Sequence, residues 1–199
     1  SMSQLVASVD GIRYIITNPN DVIQSTLLKG ESWSSNMIHV VRSLISTYRC
    51  HHLLNVGAHI GSLCLPLSKD VAQVTAIEAF PSTHKHLLDN IRVNGITNVV
   101  TMNIALGDKH DMVYFIDIKD KGKSRLENNT GGMHVLSAND IDEGIRSAEL
   151  VDITQTVESF PLDNTNIDNF ELILIDCEGL EMEILKGGIE KIRKNKPII

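Results

Sequence analysis

Three short apolar runs constrain this chain more than anything else in it. "LLNV" at 53–56 stops on Gly57, "QVTAI" at 73–77 stops on Glu78, and "LILI" at 172–175 stops on Asp176. A run of that length with no alternation reads as a strand buried on both faces, which is the habit of parallel sheets. The intervening segments carry helical periodicity instead. Met37, Val40, Val41, Leu44, Ile45 and Tyr48 repeat at helical spacing, with Ser34, Ser35 or Asn36 available as a cap. "PSTHKHLLDNIRVNG" places Leu87, Leu88 and Ile91 on one face, with Ser82 or Thr83 as cap and Gly95 as terminator. A short helix runs through Leu63 and Leu67, and "LEMEILKGGIEKI" is helical with a break at Gly187–Gly188.

Strands alternating with helices predict an α/β fold, a mostly parallel sheet with helices on both faces. "TNVVTMNIAL" reads as a further strand, and the alternation in "MVYFIDI" as an antiparallel one. At 199 residues the chain suits one such domain. Residues 1–49 are expected to form an N-terminal helical segment packed on a domain spanning 50–199. "KPII" at the end resembles the opening of one more buried strand, so C-terminal strands of the sheet are expected to be missing from this chain. From Lys119 to Glu149 the sequence turns polar and glycine-bearing, the kind of long stretch that usually serves function.

Charge narrows the partners. A formal net charge of −7, with no basic run longer than "KIRKNK", leaves no footprint for a nucleic acid or an anionic membrane. No apolar run is long enough to span a bilayer. The three cysteines, Cys50, Cys64 and Cys177, are odd in number, and two sit in apolar stretches, which fits reduced thiols in a cytoplasmic setting. "CHH" at 50–52 invites zinc, but no second ligand pair stands at finger spacing.

What remains is the loop "GAHIG". In open parallel sheets ligands bind beyond the carboxyl ends of the strands. Gly57 and Gly61 lie at one such end, and Glu78, 21 residues after Gly57, lies at the next. A carboxylate there can accept from both hydroxyls of a ribose, and a glycine loop opening a helix leaves N–H groups for an anion. Together they describe a nucleoside-containing cofactor, either a nicotinamide dinucleotide or S-adenosylmethionine. The loop lacks the G-x-G-x-x-G pattern that a pyrophosphate needs, which disfavours an oxidoreductase. The plainer alternative is that both glycines serve helix-to-strand packing and Glu78 is a solvated loop acid.

"NVGAHIG", "AIEAFPSTHKHLLDNIRVNG", "NIALGD" and above all "LILIDCEGLEMEILKGG" resemble the FkbM family of S-adenosylmethionine-dependent methyltransferases, over roughly residues 50–199. The resemblance implies a class I methyltransferase (Rossmann-like) fold and methyl transfer to a hydroxyl of a small molecule or sugar. It also implies that Gly57, Ala58, His59 and Gly61 line the cofactor loop, that Glu78 holds the ribose, and that Asn103 and Ala105 lie near the adenine. The family loop usually carries asparagine where this chain has His59, whose charge would depend on pH.

Asp176, Glu178 and Glu181 follow the third run. They can cap and charge the next helix. They can equally hold a cationic sulfonium, take a proton from an acceptor hydroxyl, or offer oxygen ligands to a divalent ion, and no metal is assigned. Asp176 is expected beside the sulfonium, so it counts among both the cofactor-binding and the catalytic residues; Glu178, or His134 from the polar stretch, is the expected base. The rival from another class is a scaffold protein that binds a nucleotide cofactor without turnover.

Overall fold

The computed structural model describes residues 5–120, 123–124, 134–137, 151–177 and 179–199. Its centre is a four-stranded parallel sheet. β3 (His52–Val56) and β11 (Leu172–Ile175) lie side by side, with β4 (Gln73–Ile77) and β5 (Val99–Met102) following on the other flank, in the order β11-β3-β4-β5. Ile198, in "KPII", bridges to Leu172 in parallel on the outer edge of β11.

The right-handed rule for parallel crossovers assigns the helices to faces. α3 (Cys64–Leu67) and α4 (Pro81–Val93) both connect strands stepping in one direction, so they share a face. Their Leu65, Leu67 and Leu87 pack with Leu53, Val74 and the buried side of α2 (Ser35–Tyr48), namely Ile38, Val41 and Ile45. The chain then returns across the other face to reach β11. There Leu54, Val56 and Ile77 meet Leu162, Phe170 and Ile184, the last from α5 (Glu181–Gly187). α6 (Ile189–Asn195) follows directly, so the break at Gly187–Gly188 is real.

Two parts were not read from the sequence. Residues 5–49 are not wholly helical, because β1 (Val6–Val9) and β2 (Ile12–Ile15) form an antiparallel hairpin before α1 (Val22–Leu28) and α2. Asp10 and Gly11, at φ +54° and +76°, make its two-residue turn, and Asp-Gly is among the strongest short hairpin signals. The second part is a small sheet beyond β5. β6 (Ala105–Leu106) pairs in parallel with β10 (Val151–Phe160), which runs antiparallel to β7 (Asp111–Asp120). β7 is indeed antiparallel, as its alternation required. It also carries the short β8 (Lys123–Ser124) and β9 (His134–Ser137).

Helix starts differ as well. Phe80, not Ser82 or Thr83, is the N-cap of α4, because Pro81 takes the first helical position where its missing N–H costs nothing. Leu180, not Asp176, precedes α5.

Candidate functional site

The carboxyl ends of β3, β4 and β11 converge, and backbone bonds hold them together. Gly57 and Ala58 both donate to the Ile77 carbonyl at 2.9 Å, and Asp176 N–H donates to the Val56 carbonyl at 3.0 Å. Gly57 is at φ +83°, and a Cβ on it would stand 2.1 Å from the Asp176 carbonyl oxygen. At φ +92°, Gly61 makes room for Leu65 and Leu87 in the same way, at 2.5 and 2.9 Å. Helix-to-strand packing therefore accounts for Gly61, whereas Gly57 is pressed against the strand end at Asp176. The packing reading does not extend to the acid.

Glu78 is only 8% exposed, and its carboxylate is clamped by the backbone. One oxygen accepts from His59 N–H at 2.7 Å and the other from Phe80 N–H at 2.9 Å. Burial pushes its pKa up, and the two N–H donors pull it back down. Each oxygen keeps a further lone pair, so the group has acceptor capacity beyond these two bonds. Asn103 locks the turn behind it, its amide donating to the carbonyls of Glu78 at 2.9 Å and Ala79 at 2.8 Å.

The loop itself is more self-contained than the sequence reading required. The N–H groups of Gly57, Ala58, His59 and Gly61 are all used internally, the last on the Ala58 carbonyl. The expectation of free N–H groups awaiting an anion fails for these four, because β4, Glu78 and Ala58 already take them. Ala58 turns its methyl into the core. His59 adopts φ +50°, a left-handed conformation that suits Asn or Gly better than an imidazole. Its ring lies in the protein interior, and burial drops its pKa to about 4, with Asp21 opposing that shift and His86 adding to it. The pH sensitivity expected of this position therefore lies well below neutrality.

The structure brings Gly57, Gly61, Glu78 and Asp176 to one edge, with His59 and Ala58 behind it. Ala105 is buried in a small cluster with Phe80, Val113, Phe115 and Val157, in which the Phe80 and Phe115 rings stand 4.8 Å apart. Asp176 is exposed at the tip of β11, and Glu181 turns back to accept from Gly179 N–H at 3.0 Å. Glu178 lies outside the described residues. His134 pairs with Ile116 through β9, and its side chain likewise lies outside the description.

Cys177 is a site neighbour that sequence reasoning did not single out. Its Sγ would stand 3.0 Å from a Cβ on Gly57, and burial, with Glu78, Asp176 and Glu181 nearby, pushes the thiol up to about 12. Its position directly after Asp176 was the available signal. Among the described residues, no group of three or more His, Cys, Asp or Glu side chains is arranged to hold a metal ion.

A clamped carboxylate beside a tight glycine loop, with an exposed carboxylate across from it, suits a ligand that is hydroxylated at one end and cationic at the other. The sequence profile of the Methyltransferase FkbM domain matches residues 55–199. Among solved structures, methyltransferase FkbM from Methylobacillus flagellatus KT is similar over 74% of this chain and 31% of that one, at 18% identity and a TM-score of 0.48. The Pyrococcus abyssi tRNA (uracil-54, C5)-methyltransferase, in complex with S-adenosyl-L-homocysteine, is similar over 98% of this chain and 32% of that one, at 11% identity and a TM-score of 0.51. This chain thus spans less than a third of the length of either. No curated protein sequence matches it. At such identities the second likeness speaks for the fold alone, that of class I methyltransferases.

Proposed function

The chain belongs to the FkbM family of S-adenosylmethionine-dependent methyltransferases, and from that membership we propose that it methylates a hydroxyl oxygen of a small molecule or a sugar. The observation that carries the reading is Glu78, a buried carboxylate whose two oxygens are fixed by His59 and Phe80 N–H groups and still accept more. Two spare acceptors a carboxylate's width apart match the two hydroxyls of a ribose.

Bound, the donor supplies a methyl group that is already electrophilic on its sulfonium. The protein's task is then chiefly to align an acceptor oxygen and remove its proton. Glu78 orients the ribose and Asp176 faces the positive charge. Asn103 fixes the turn that presents Glu78, with Ala105 behind it near the adenine. Glu178, or His134 from the β7–β9 side, takes the proton from the acceptor hydroxyl. The residue division 1–49 and 50–199 remains the proposed organisation. A small or carbohydrate acceptor is favoured over a nucleic acid by the net charge of −7. No helix of the described residues is long and apolar enough to cross a membrane, and the free cysteines agree with a cytoplasmic setting.

Mass spectrometry of the purified protein for a co-purifying adenosyl ligand tests the donor without any guess about the acceptor. With an acceptor in hand, Asp176→Asn is expected to abolish methyl transfer with a modest loss of donor affinity. Full turnover by Asp176→Asn removes that residue from the chemistry. Binding of adenosylhomocysteine with no methyl transfer to any of a panel of hydroxylated acceptors would instead favour a scaffold.

A further inference from the structure

The β1–β2 hairpin lies outside the residues matched by the family profile, yet it is wired to the cofactor loop. The free edge of β2 is closed by side chains of α4 rather than by another strand. His86, Asn90 and Asn94 stand at i, i+4 and i+8, one face of the helix. Asn94 accepts from Arg13 N–H at 2.9 Å and donates to the Arg13 carbonyl at 2.7 Å. Asn90 accepts from Ile15 N–H at 2.8 Å, and the His86 ring bonds the Ile15 carbonyl at 2.6 Å. Two residues of strand edge are thus satisfied in full by three side chains, as a neighbouring strand would do it.

Asn90 does one thing more. Its Nδ2 donates to the Ile60 carbonyl at 2.8 Å, and the side chain is completely buried. Ile60 follows His59, the residue in the left-handed conformation. The strained turn is therefore gripped on consecutive residues: Glu78 holds the His59 N–H from the ligand side, and Asn90 holds the Ile60 carbonyl from the hairpin side. A buried amide that loses either partner leaves a polar group unpaired, so neither bond of Asn90, to Ile15 or to Ile60, loosens without cost to the other.

We propose that Asn90 is a positioning residue that couples docking of the β1–β2 hairpin to the shape of the cofactor loop, so that hairpin docking and cofactor binding reinforce each other. The cofactor half of this statement rests on the donor site proposed above; the coupling of hairpin to loop does not. By linkage, a ligand that fixes the loop must also slow opening of the hairpin, by the same factor by which a docked hairpin strengthens the ligand.

Hydrogen–deuterium exchange and calorimetric titration with adenosylhomocysteine, on the full chain, test it. Asn94→Ala removes the bonds at Arg13 and one within the helix to the Asn90 carbonyl, and touches nothing in the loop. Asn90→Asp, read at a pH that ionises the carboxyl, keeps the acceptor for Ile15 and removes the donor to Ile60. Saturating ligand should slow exchange of amides 13–16 in the unaltered protein by about 3-fold or more, and Asn94→Ala should weaken ligand binding by a similar factor. Asn90→Asp should weaken it by about 10-fold or more, since it strikes the loop directly. A merely structural hairpin would loosen in Asn94→Ala with binding unmoved, and ligand would protect the loop while hairpin exchange stayed the same; that pair of results overturns the proposal. If Asn90→Asp fails to fold, Asn94→Ala decides alone. Should the unaltered protein bind no adenosylhomocysteine, the donor-site reading falls, and the coupling is still decided without ligand: faster exchange of amides 58–62 in Asn94→Ala supports it, and unchanged exchange there refutes it.

Discussion

Glu78 and Asp176 end the two strands that flank β3 at one sheet edge, and they are built in opposite ways. Glu78 is buried, with each carboxylate oxygen already bonded to a backbone N–H of the surrounding turns. Asp176 is exposed, tied down through its own N–H to the Val56 carbonyl rather than through its carboxylate. The difference teaches how the proposed work divides. An acid that must meet an invariant piece of a cofactor is set before the ligand arrives, which lowers the ordering cost of binding. One that is proposed to face the sulfonium, where the methyl group leaves, stands at the open rim.

The sharpest way to break this contrast is at the shared hinge. Gly57→Ala puts a methyl into the Asp176 carbonyl and forces an L side chain to φ +83°. Overpacking and left-handed strain together should destabilise the fold by about 3–5 kcal/mol, read from the shift of the urea midpoint. A shift below about 1 kcal/mol would mean that β3 and β11 are less tightly married than the geometry requires.

His59 gives the next effect, through pH. Its pKa falls from the ordinary 6.5 to about 4 because the ring is buried. Between those values the unfolded chain takes up a proton that the folded one refuses, so the stabilisation is complete above pH 6.5 and is lost as the pH falls toward 4. The full term is about 3 kcal/mol. Glu78 works the other way, since its raised pKa lets the folded state bind a proton first. The comparison with His59→Asn cancels that contribution: the stability of the unaltered protein should fall faster with acid than that of the variant. Parallel curves would place the ring in water.

Glu78→Ala should weaken adenosylhomocysteine binding by about 2–4 kcal/mol, with circular dichroism unchanged. Unaltered affinity in a folded variant would remove Glu78 from the ribose. The smallest effect is expected at the rim, where Asp176→Asn should shift stability by no more than about 0.5 kcal/mol, as exposed substitutions usually do. A larger shift by calorimetry would show that the two acids are more alike than their exposure says.

Much of this was legible in the sequence where periodicity and burial agree. β3, β4 and β11 were written as mostly apolar runs, and α2 and α4 as clean helical stripes, so strand identity and the convergence of Gly57, Glu78 and Asp176 followed. The internal wiring was not legible. Nothing in "GAHIG" tells that four of its N–H groups are consumed by Ile77, Glu78 and Ala58, because those bonds depend on how closely β3 approaches β4. The β6–β10 pairing joins residues about fifty positions apart through a polar stretch, which local pattern does not encode. The Asp10–Gly11 hairpin was readable and was passed over; its flanks alternate, with Ala7, Val9, Ile12 and Tyr14 inward.

The amide face of α4 has a consequence for synthesis. Ile15 and Asn90 are 75 residues apart, so the hairpin leaves the ribosome long before its partner exists. At translation rates of about 5–20 residues per second, the edge of β2 waits roughly 4–15 seconds for α4. A hairpin closes in microseconds but is only marginally stable on its own, so it opens and closes many times with its edge unpaired during that interval. Nascent chains on crowded polysomes would meet one another through that edge, and the helix that later covers it ends the exposure.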